Sequence, residues 1–132
     1  MTEEDLDGAI VQLCDGLGLT TLHVREPRRE RGEWPGFPDR IIFGPRPPYV
    51  LYRELKASTG LSGDQKRWQW RLGDWCHQDY GVWRAADWHS GRIAEELAAL
   101  AGRDVEDAEA GGEEDPDVLF RRVYYGGKRK RR

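Results

Sequence analysis

The stretch Gly44-Pro45-Arg46-Pro47-Pro48 restricts the fold of this chain more than any other. Its prolines lack backbone donors and have a fixed φ, so no β-ladder can run through it. On either side lie short apolar runs, Arg40 to Phe43 and Tyr49 to Lys56, that read as strands. The chain must therefore turn between them, which brings Asp39 near Glu54. Along the second run side chains alternate faces, so Glu54 and Lys56 point the same way. Two carboxylates and an ammonium then converge, an arrangement suited to a hard divalent cation and a water held against a phosphodiester. Burying that trio without such a task would be costly. The plainer alternatives are a turn aspartate at Asp39 and a solvated strand face at Glu54 and Lys56.

The remaining elements follow from periodicity. Leu6, Ile10, Leu13, Cys14 and Leu17 recur at helical spacing, with Gly18 placed as a left-handed cap, which predicts a helix over roughly Glu3 to Leu17. Thr20 to Val24 reads as a first strand. Ser62 and Gln65 form a capping-box pattern, and Trp68, Leu72, Trp75 and Cys76 repeat on one face. A helix is therefore expected from about Gly63 to Gln78, closed by Gly81. Val82 to Ala85 is expected to be a fourth strand, and Ser90 to cap a last helix with Ile93, Leu97 and Leu100 facing inward. The order α-β-β-β-α-β-α, with a parallel crossover between the third and fourth strands, gives an α/β fold with a mixed sheet flanked by helices.

These residues resemble a stand-alone VRR-NUC (virus-type replication-repair nuclease) domain of the PD-(D/E)xK nuclease superfamily. The resemblance rests on Thr2-Glu3, Gly18, His23-Val24-Arg25, Gly36-Phe37-Pro38-Asp39, Glu54-Leu55-Lys56-Ala57, Leu61-Ser62-Gly63-Asp64-Gln65 and Val82-Trp83-Arg84, in that order. It covers roughly residues 2–100 and departs at Leu19, often Trp in the family, and in an Arg-rich insertion before Gly36. It implies a restriction-endonuclease-like α-β-β-β-α-β core. It also implies Mg²⁺ or Mn²⁺ on Asp39, Glu54 and the backbone carbonyl of Leu55, and Lys56 as the residue that orients and helps to deprotonate the attacking water. Gln65 matches a position beside the family's active site, but the capping box alone also accounts for it. Glu3 matches an acid of the family's first helix that joins the metal site; as an ordinary N-terminal acid it would favour the helix dipole. His23, near the site, is either a phosphate contact or a hydrogen-bonded sheet residue.

The activity implied is that of a metal-dependent endonuclease on DNA, Holliday-junction-resolvase-like and acting on branched substrates as a homodimer, in phage or bacterial recombination, repair or packaging. The alternative is a catalytically weak DNA-binding accessory subunit. A net charge of −3 is no obstacle once resolved by segment. Residues 104–117 carry eight acids and no Lys or Arg, residues 128–132 carry five cations, and the rest balance. Local potential is what phosphates meet. Arg25, Arg28, Arg29 and Arg31 before Asp39, with Lys66, Arg67 and Arg71 after Glu54, are the candidate phosphate contacts, unless they form an ordinary solvated face.

The 132 residues suit one domain, residues 1–103, followed by an acidic linker over 104–117 and an apolar segment with a basic tail over 118–132. The apolar segment could pack on the domain or on a second subunit. No stretch has the apolar length to cross a bilayer, and the acidic start is unlike a secretory signal. The expected location is the cytoplasm, the host's if the chain is phage-encoded. Cys14 and Cys76 have no Cys-x-x-Cys spacing and read as buried thiols, and Cys76, His77, Asp87 and His89 lack a zinc spacing. Among the tryptophans, Trp68 and Trp75 are expected in the core and Trp34 and Trp70 at the surface, where aromatic rings can stack on unpaired bases.

Overall fold

Helix α1 (Glu3–Leu17) begins where Thr2 accepts the amide of Asp5 at 3.1 Å while the Asp5 carboxylate accepts that of Thr2 at 2.9 Å. It ends at Gly18, whose φ of 74° lets the chain reverse in the left-handed region. Its buried stripe is Leu6, Ile10, Cys14 and Leu17, as the spacing requires. In the computed structural model, which describes residues 1–24 and 35–103 together with Arg121 and Tyr125, the elements that follow are β1 (Thr20–His23), β2 (Arg40–Phe43), β3 (Val50–Lys56), α2 (Gly63–Gln69), a π-helical segment (Trp70–Trp75), β4 (Asp79–Arg84), α3 (Ala85–His89) and α4 (Arg92–Ala101). Arg25, Arg28, Arg29, Arg31 and Trp34, the proposed acidic linker and nearly all of the C-terminal segment lie outside the described residues.

The strands form one sheet in the order β1-β2-β3-β4. The first two pairings are antiparallel and β3 with β4 is parallel, giving the expected mixed α/β sheet. The proline-rich stretch turns the chain as anticipated, with the Gly44 amide donating to the Tyr49 carbonyl at 2.9 Å and the Tyr49 amide to that of Arg46 at 2.7 Å. Tyr49 belongs to the turn: its φ is 73°, so β3 starts one residue later than the apolar run suggested.

The two sheet faces have different cover. Ile42, Leu51, Leu55 and Trp83 join Leu6, Ile10, Ile93, Leu97 and Leu100 in the buried core, which α1 and α4 enclose. The opposite face carries Tyr52, Glu54 and Tyr80. There α2 and the π-helical segment lie, with Phe37 packed edge-on against both Tyr52 and Trp68. Glu54 therefore sits under a helix, and its environment is low in water.

Several local expectations are corrected. Gly81 does not stop a helix; it lies within β4 opposite Arg53, and β4 begins at Asp79 instead of Val82. A Cβ at Gly81 would stand 3.2 Å from the Arg53 guanidinium, so glycine makes room for a buried arginine. That guanidinium reaches Asp79 at 2.7 Å and Glu96 at 3.0 Å and lies 5.0 Å from the Trp83 ring centre, tying β3, β4 and α4 together. Ser90 stands one residue earlier than a helix N-cap: it ends the short α3 and Gly91 takes the N-cap position of α4, while the Ser90 hydroxyl still accepts the Arg92 amide at 3.3 Å. The helix expected to reach Gln78 changes register at Trp70. The Cys76 amide then bonds to the Arg71 carbonyl, five residues back, at 3.0 Å. This rotation turns Trp75 and Cys76 out to solvent instead of into the core, whereas Trp68 stays half-buried. Among the described residues no helix is long and apolar enough to cross a membrane.

Candidate functional site

The site is built by strand register. The β2–β3 ladder pairs Arg40 with Arg53, and one further step puts Asp39 opposite Glu54. Directly opposed residues in an antiparallel pair share a face, so the two carboxyl groups must meet. Asp39 is fixed on both sides. Its carbonyl accepts the Val24 amide at 2.8 Å, and its Oδ2 accepts the Leu55 amide at 2.8 Å. Glu54 is 3% exposed. Burial, the hydrogen bond with Asp39 and the Asp39 charge push its carboxyl up to about 9, against a smaller opposing pull from Lys56; the charge of Glu3 raises it further. Burial beside a second carboxylate disfavours the charged form of Glu54, which is the direction of this shift.

Gln65 caps α2 and also reaches Glu54. Its Oε1 accepts the Ser62 amide at 2.8 Å within the capping box, and its Nε2 donates to Glu54 Oε2 at 3.2 Å. The start of α2 is therefore coupled to the buried carboxyl. Gly36 is what lets that helix approach. Its φ is 82°, and a Cβ there would stand 2.6 Å from the Gln65 nitrogen and 2.7 Å from the Asp64 carbonyl oxygen. The Trp68 indole N–H donates to the Pro35 carbonyl at 3.1 Å and secures the same contact.

On the other side of Asp39 a cavity of about 240 Å³ is lined by Glu3, Glu4, Asp7, His23, Asp39 and Leu55. Glu54, Lys56 and Gln65 lie outside its wall. Asp7 is committed elsewhere: Arg40 clasps both its oxygens, at 2.6 and 2.8 Å, and this guanidinium holds the Asp7 carboxyl below the usual carboxylate range. The clasp joins α1 to β2 at the residue next to Asp39, so it sets where Glu3 and Glu4 stand. Sequence reasoning missed it, because nothing local links positions 33 apart. Tyr80 was also missed. Desolvation, then the charges of Glu54 and Asp39, push its phenol up to about 12, and its hydroxyl has no hydrogen-bond partner among the described residues.

The structure thus brings Asp39, Glu54 and Gln65 into contact, with Lys56 and Glu3 near enough to act on Glu54 through their charges. Lys66 and Arg67 are exposed on α2, and Arg67 comes only to 4.0 Å from Asp64. Among the described residues no three His, Cys, Asp or Glu side chains are grouped to hold a metal ion. The donor set at Asp39 and Glu54 is nonetheless of the kind Mg²⁺ takes, which is one or two carboxylates with the remaining positions left to water and other oxygens. Comparison with models of known families, with curated proteins and with solved structures finds no match.

Two outcomes follow from this geometry. Gly36→Ala should lower stability by roughly 2 kcal/mol or more, because the side chain meets both a left-handed backbone and the first turn of α2. A urea midpoint equal to that of the parent would contradict it. Glu54 has a folded pKa of about 9 against an ordinary 4.5, so the folded state holds the proton more tightly. Its contribution is full below about pH 4.5 and is lost as pH rises towards 9. Asp7, whose carboxyl is depressed, contributes above its unfolded value and fades only as the solution turns acid. Melting in EDTA should therefore show Glu54→Gln losing less stability between pH 5 and pH 9 than the parent; equal slopes would remove the argument.

Proposed function

We propose that this chain is a divalent-metal-dependent deoxyribonuclease that hydrolyses phosphodiester bonds, as the resemblance to VRR-NUC domains implies. The observation that carries the reading is the pairing of Asp39 with Glu54, brought opposite each other by strand register with Glu54 buried. Asp39, Glu54 and the Leu55 carbonyl would hold Mg²⁺ or Mn²⁺, which supplies Lewis acidity at the phosphoryl group and lowers the pKa of a bound water. The chain's own groups do the rest. Leu55 N–H fixes one oxygen of Asp39, and Gln65 fixes Glu54. Lys56, on the same side of β3 as Glu54, orients the attacking water and helps to remove its proton. Glu3 and His23 line the cavity beyond Asp39, where Glu3 adds negative charge for a cation and His23 can contact a phosphate.

The favoured substrate is branched DNA, with two copies of the chain acting on two strands. Leu22 and Phe43, exposed on the part of the sheet that α2 leaves open, support a second copy as cover. The other reading, an accessory subunit that binds DNA without cutting it, parts from this one at Lys56. A labelled panel of junction, flap, single-stranded and duplex DNA should be cut with Mg²⁺ or Mn²⁺ and left intact in EDTA. Lys56→Ala should bind as the parent does and cut roughly 100-fold more slowly or worse in single turnovers. Cleavage by Lys56→Ala at the parental rate would end the catalytic assignment. Binding without cleavage by the parent protein would favour the accessory subunit.

A further inference from the structure

The surface beyond α2 carries a feature that the proposed chemistry does not use. Trp70 and Trp75 are 50% and 62% exposed, and their ring centres lie 5.3 Å apart at an interplanar angle of 31°. Residues five apart would diverge around an α-helix, at about 100° per residue. The π register, with its bonds five residues back, stacks one above the other. Two neighbouring indoles, each half or more exposed, are thus presented to water. Lys66 lies one helical turn before Trp70, and Arg67 and Arg71 continue the same exposed side, with Arg71 placed 5.9 Å over the Trp68 ring. These three cations outnumber the carboxylates of the segment, Asp64 and Asp74. Gln65, which touches Glu54, opens this same helix. Trp70 lies five residues, about 8 Å of helix, beyond Gln65, and Trp75 lies further on, so the indoles stand a few nucleotides from the carboxylate pair.

We infer that Trp70 and Trp75 form a stacking platform for the bases of an unpaired strand, with Lys66, Arg67 and Arg71 bearing its phosphates on the way to the Asp39–Glu54 pair. Paired bases keep their faces inside the duplex, so only single-stranded segments, as in flaps, gaps and frayed branches, can use the indoles. The combination of exposed aromatic rings and neighbouring cations is what single-strand binding requires, whereas an apolar partner has no use for the cations. The inference deepens the nuclease reading by naming the strand state that its substrate must contain, and it rests on that reading only for the destination of the strand.

The test measures binding without cleavage, with the full chain in EDTA. Oligothymidylate and a duplex of equal length are the probes, across a salt series. The parent should bind oligothymidylate, and Trp70→Ala/Trp75→Ala should lose on the order of tenfold or more in affinity for it. The salt slope should stay the same, because the phosphate contacts remain. Duplex affinity should not change, and Trp70→Phe/Trp75→Phe should recover most of the loss. Photo-crosslinking of the parent to an oligonucleotide with 5-iododeoxyuridine should mark the peptide that carries Trp70 and Trp75, which needs no variant to fold. Parental affinity in the alanine pair, or crosslinks confined to other peptides, would overturn the inference. So would loss of a dimer in the alanine pair with oligothymidylate affinity intact, which would assign the indoles to a second copy. Since turnover is not read, a chain that binds through the indoles but cuts nothing would refute the nuclease and leave the platform standing.

Discussion

A single carboxylate at the end of β2 organises the candidate site. Asp39 takes the Leu55 amide onto its side chain while its own carbonyl takes that of Val24, so it joins β1, β2 and β3 where the ladders run out. A strand end normally frays into water. Here the side chain closes the ladder and brings a negative charge against Glu54, which α2 screens from solvent. Burial and the Asp39 charge push the Glu54 carboxyl up, and the proposed function would place a divalent ion between the two carboxylates. Nearby features hold this arrangement still. Arg40 ties α1 to β2 beside Asp39, Gly36 admits the start of α2, and Gln65 bridges that helix to Glu54.

Much of this is legible in the sequence where the cause is local. The prolines from 45 to 48 force the turn, the alternation of Glu54 and Lys56 assigns their face, and Gly18 and the Ser62–Gln65 pair mark helix ends through their own backbone needs. Closeness of Asp39 and Glu54 follows from those signals alone. Features set by distant partners are not legible. Gly81 looks like a helix stop until Arg53 is seen to occupy the space in front of it. The clasp of Asp7 by Arg40 and the burial of Tyr80 depend on how α1 and β4 come to the sheet. Trp75 follows Trp68 at a perfect α-helical interval, and only the change of register at Trp70 turns it outward.

That change of register links the fold to the surface. Continued as an α-helix, the segment would set Trp75 on the Trp68 face and away from Trp70. As a π-helix it exposes both and sets them together. The helix that fixes Glu54 from its first turn thus carries an aromatic pair at its far end, and any strand following it would pass its cations in between.

The central claim is that the Asp39–Glu54 pair exchanges a proton for a divalent cation. Isothermal titration of Mg²⁺ into the chain at pH 7, repeated in buffers of different ionisation enthalpy, counts the protons released. With Glu54 raised to about 9, the account predicts release of about one proton per ion bound. Glu54→Gln should bind more weakly and release none. Binding with no proton released by the parent, or no binding at all, would contradict it.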